Sequence, residues 1–118
     1  MGARALYAGP GHVIVYGDDE FLAVSGDVLG KPAREAFAQP EYAPAQRAMD
    51  RVFRSGIPEW VDAVSMTGAP GRLLFTPVRD PESRQVVGLA SLWTRVPAST
   101  RRTLRARHDR SELALPKA

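Results

Sequence analysis

The three residues Gly9-Pro10-Gly11 constrain this chain more than any other short stretch. Proline locks its own φ and glycine admits positive φ, so the backbone has to turn here. Apolar runs flank the turn: Ala5-Leu6-Tyr7 before it and Val13-Ile14-Val15-Tyr16 after it. Together they predict a hairpin. The second run is apolar throughout and β-branched, the pattern of a central strand with both faces covered. Gly17-Asp18-Asp19-Glu20 then ends the strand. Asp18 is placed to cap a helix, and Asp19 and Glu20 suit the positive end of a helix dipole.

The middle of the chain is helical. Gly26 and Gly30 bracket a short turn, and Pro32 starts a helix over 31–37 that buries Phe37 and stops at Gln39-Pro40. Residues 42–55 form the clearest helix. Tyr42, Ala45, Met49, Val52 and Phe53 fall on one face at helical spacing, and Gly56 follows as the terminating residue with Pro58 beyond it.

Three strands complete the body. Residues 59–66 alternate, with Trp60, Val64 and Met66 on one side, and Asp62 interrupting that side. Residues 72–79 contain Leu73-Leu74-Phe75, which implies cover on both faces, and Pro77, which requires an edge or a bulge. Asp80-Pro81-Glu82-Ser83 is a turn. Residues 85–96 form a long apolar strand in which Gly88 allows a close approach over the sheet.

This arrangement resembles a PAS domain over about residues 4–96. The resemblance rests on Asp18, then Phe21 three residues on, then Gly26, and on the closing pair Thr76-Pro77-Val78-Arg79-Asp80 and Gln85-Val86-Val87-Gly88-Leu89. It also decides, with the acidic cap, that the ambiguous run Phe21 to Val24 is helix. Two departures stand out. Asp18 replaces the usual Asn. The strand end Trp93-Thr94-Arg95-Val96-Pro97 lacks the acid that often leads into a signalling helix. The resemblance implies an α+β fold: a five-stranded antiparallel sheet of order 2-1-5-4-3 with the helices packed on one face. It implies a non-catalytic module of bacterial signal-transduction type, sensing a small molecule or contacting protein. Output would pass through a partner, unless the chain is a fragment or an independent small protein.

Composition bounds the chemistry. A length of 118 residues fits one domain able to hide roughly two thirds of its surface. The expected division is a sensor domain over 1–96 and a basic tail over 97–118, disordered or forming a short helix along Leu104, His108, Ser111, Leu113 and Leu115. The tail holds six basic and two acidic side chains, a net +4; the whole chain is +3, which leaves the body at −1. The body is thus no evident nucleic-acid binder, and only the tail offers weak attraction to nucleic acid or an acidic surface. The chain has no cysteine, so disulfides, thiolate metal sites and cysteinyl–flavin adducts are excluded. No signal-peptide or membrane-spanning run is evident, and the expected location is cytoplasmic.

The two histidines are far apart in sequence, and His12 reads as a solvated turn residue. A metal site and a catalytic triad are not expected. The resemblance would place a haem-ligating histidine on the helix over 42–55, which contains none, so haem is not expected either. The resemblance implies a cavity walled by Met49, Val52, Phe53, Trp60, Leu74, Thr76, Ala90 and Leu92. Its occupant would be a non-covalent flavin, a small apolar ligand, or nothing. Val87, Leu89 and Trp93 share the other side of the last strand and form the expected homodimer patch. Two alternatives remain: a small isomerase-like cone using Asp62 as a base, and nucleic-acid association through the tail.

Overall fold

A computed structural model describes residues 2–64 and 68–96. The order is β1 (Ala3–Ala8), β2 (Val13–Gly17), α1 (Asp19–Ser25), α2 (Ala33–Ala36), a 3-10 turn (Pro40–Tyr42), α3 (Ala43–Ser55), β3 (Glu59–Val64), β4 (Pro70–Arg79) and β5 (Val86–Arg95). The strands form one antiparallel sheet of order β2-β1-β5-β4-β3. The expected tail helix and residues 65–67 lie outside the described residues.

Local chemistry places the elements. Gly9 and His12 both take positive φ, and the His12 amide donates to the Gly9 carbonyl, closing the first turn. Asp18 Oδ1 accepts from the Phe21 amide at 2.9 Å, which caps α1, and Gly26 ends that helix at φ 80°. Gly56 ends α3 in the left-handed region. Pro77 lies beyond the last β3 partner of β4, at Phe75, and next to a bulge at Val78 and Arg79, so no ladder bond is lost. At Gly88 the close approach comes from β1: a Cβ there would meet the Tyr7 carbonyl oxygen.

One strand differs from its sequence reading. β2 is an edge strand, and only Ile14 is fully buried; Val15 and Tyr16 are exposed. A register shift opposite Leu6 and Tyr7 lets the apolar run serve one face of the sheet and leaves the rest in solvent.

Alternation and register define two sheet faces. Ala5, Tyr7, Ile14, Phe75, Leu89 and Ser91 point inward and are buried beneath the helices. From above, α3 contributes Ala48, Met49 and Val52 to this core. Leu6, Trp60, Leu74, Thr76, Ala90 and Leu92 are cross-strand neighbours on the opposite, outer face.

Candidate functional site

Between α1, the 36–42 segment, α3 and the inner sheet face lies a cavity of about 330 Å³. Six aromatic side chains line it: Tyr7, Phe21, Phe37, Tyr42, Phe75 and Trp93. Met49, Leu73, Val24 and Ala45 supply most of the remaining apolar wall. Phe21, Phe37 and Tyr42 meet edge to face, with centroids 6.2 and 5.6 Å apart, the arrangement that ring quadrupoles favour. Gly17 makes room for the Phe21 ring, since a Cβ there would strike it.

Polar groups are few and specific. Tyr7 Oη and Ser91 Oγ are 3.0 Å apart, both buried. Burial pushes the Tyr7 phenol up to about 12, against the opposing effect of the Ser91 hydrogen bond. Gln46 Nε2 donates to the carbonyls of Ala33 and Phe37, holding the segment that carries Phe37 against α3. The Trp93 indole lies over Gly71, where any Cβ would collide with the ring, and its Nε1 is buried with no partner among the described residues. Glu20 and Arg95, both exposed, also line the cavity.

The sequence-predicted residues divide sharply. Met49 lines this cavity. Val52 is fully buried core, and Phe53 packs against that core with its ring 5.9 Å from His12. Trp60, Leu74, Thr76, Ala90 and Leu92 lie on the outer face instead, so the expected wall is out of phase by one residue along β4 and β5. Leu73, Phe75, Ser91 and Trp93 take those places. The expected dimer patch is corrected for the same reason. Leu89 is 0% exposed in the core and Trp93 walls the cavity; of the three, only Val87, at the bulge, is exposed.

His12 is also corrected. It is buried, and its Nε2 meets Asp50 Oδ1 at 2.8 Å. It lines a second, more polar pocket with Arg34, Arg47, Gln46 and Asp50, separated from the aromatic cavity by Phe37 and Gln46, which border both. No histidine lines the aromatic cavity among the described residues, and no cluster of three metal-binding side chains occurs among them. Asp62 is on the outer face, its side chain 70% exposed and 3.7 Å from Arg72 Nε. The pocketed base that an isomerase-like cone requires is therefore missing at this position. Arg72 instead covers the Trp60 ring, 4.5 Å from its centroid.

The fold is that of a PAS domain. Structural likeness extends to the PAS domain of histidine kinase ThkA (TM-score 0.64, 16% identity, 80% of this chain and 99% of that one). It extends to a sensory box sensor histidine kinase from Vibrio cholerae (0.66, 18%, 82% and 80%) and to a light-oxygen-voltage domain studied with a flavin analogue (0.68, 21%, 92% and 88%). The sequence matches no family model, and comparison with curated proteins finds no significant relative. No helix among the described residues is long and apolar enough to cross a membrane.

Proposed function

We propose that this domain is a small-molecule sensor whose ligand occupies the aromatic cavity between α1, α3 and the inner sheet face. The cavity's size and apolar wall carry this reading: about 330 Å³ lies within the range of small-ligand sites, and such sites combine apolar walls with a few placed polar groups. The neighbours' presence in sensor kinases and light-oxygen-voltage proteins supports the same role. A non-covalent flavin suits the wall, with Phe75, Trp93 and Met49 as ring contacts. A cysteinyl adduct does not, because no cysteine is present.

The outer sheet face is the proposed output surface, toward a second copy or a signalling partner. Leu6, Tyr16, Trp60 and Val78 are large apolar side chains exposed there. Ligand occupancy would favour one packing of the sheet over another, and the partner would read that shift.

Native mass spectrometry of the purified chain, with an absorbance spectrum of the same sample and an amide-NMR screen of aromatic fragments, tests the proposal. Retained mass, or fragment shifts clustered at Tyr7, Phe21, Met49 and Leu73, supports it. An empty protein that no fragment perturbs at those residues refutes it.

A further inference from the structure

The polar groups that reach the cavity from the sheet include hydrogen-bond donors with no acceptor among the described residues. Two hydroxyls, Tyr7 Oη and Ser91 Oγ, carry two protons, and the bond between them uses one. Neither has another partner among the described residues, so one buried O–H remains unspent whichever group donates. Two residues beyond Ser91, on the same face of β5, the Trp93 indole N–H likewise has no acceptor among the described residues. Arg95, a further two residues along, adds a guanidinium. On the helix side, both Gln46 donor contacts go to backbone carbonyls. A buried donor without an acceptor is costly, so a ligand that supplies one gains affinity.

We propose that the cavity selects planar aromatic ligands bearing a hydrogen-bond acceptor, a carbonyl oxygen or ring nitrogen, on the edge that faces the Tyr7–Ser91 hydroxyl pair. The six aromatic side chains favour a flat ring over a branched aliphatic of equal volume, because ring edges and faces pair with ring edges and faces. The acceptor sets which edge points to the sheet. This inference rests on the cavity being the ligand site.

Quinoline and naphthalene, which share shape and differ by one ring nitrogen, separate the two ideas when titrated by NMR at pH 8. In the Tyr7→Phe/Ser91→Ala double variant the preference for quinoline over naphthalene should fall about fivefold relative to the wild-type chain. Each single variant should keep most of that preference, since the surviving hydroxyl retains a free proton. Both compounds binding with a ratio unchanged in the double variant overturns this inference and leaves the cavity reading intact. Neither binding to the wild-type chain overturns both. A second measurement needs no variant: the nitrogen-15 shift of labelled quinoline bound to the wild-type chain should move in the direction of a hydrogen-bonded ring nitrogen, and a shift matching quinoline in hexane overturns the inference.

Discussion

His12 Nε2 lies 2.8 Å from Asp50 Oδ1, and this contact ties the first hairpin turn to the middle of α3. His12 reaches it from a left-handed backbone conformation at φ 52° and is 6% exposed, while the Asp50 side chain is largely in solvent. Loss of the carboxylate leaves a buried imidazole nitrogen without a partner. Asp50→Ala should therefore cost about 1–3 kcal/mol in denaturant unfolding. The His12→Ala/Asp50→Ala double variant should lose less than the sum of the singles. Strictly additive losses would mean that the contact contributes nothing.

The face assignment of β5 makes a direct stability contrast. Leu89→Ala removes a fully buried side chain and should cost about 2–5 kcal/mol. Leu92→Ala removes a half-buried outer-face side chain and should cost about 1 kcal/mol. Equal losses in urea titrations would contradict the observed register.

Gly71 is required by Trp93. A methyl group at position 71 would overlap the indole, so Gly71→Ala should displace the ring from the cavity wall. The expected result is a red-shifted Trp93 emission, read in a Trp60→Phe background, together with a stability loss of about 1–3 kcal/mol. An unchanged spectrum would show that the ring does not rest on that glycine.

Alkaline pH should unfold the domain partly through Tyr7. The native phenol, raised by burial from 10.0 to about 12, holds its proton where the unfolded chain releases it. Its contribution is fully present below pH 10 and is lost as pH rises from 10 to 12, by at most about 2.7 kcal/mol. Tyr7→Phe should flatten the stability profile in that window, measured as the urea midpoint against pH. Identical wild-type and Tyr7→Phe profiles would place the phenol in solvent.

Much of the fold was legible because its signals are local. Gly9-Pro10-Gly11 turns the chain and Gly56 ends α3 through backbone conformations available to few residue types, while Asp18 caps α1 through a short side-chain oxygen that few residue types carry. The sheet order followed from the resemblance to PAS domains and is the order observed. The cavity was less legible. Met49 could be placed because a helix has one apolar stripe, and that stripe must meet the core.

Read alone, the sequence specifies the order of the elements and, away from the bulges, which side chains share a strand face, since a two-residue repeat carries that much. It could not say which face the helices cover. Both faces of β5 are rich in apolar residues, Leu89 and Trp93 on one, Ala90 and Leu92 on the other, so alternation gives two equivalent phases. The tertiary structure chose between them. The helices lie over the face where Gly71 accommodates the Trp93 indole and where Tyr7 and Ser91 can satisfy one another. The same long-range packing converts His12 from a turn residue into a buried partner of Asp50, 38 positions away, a distance over which local sequence carries no signal.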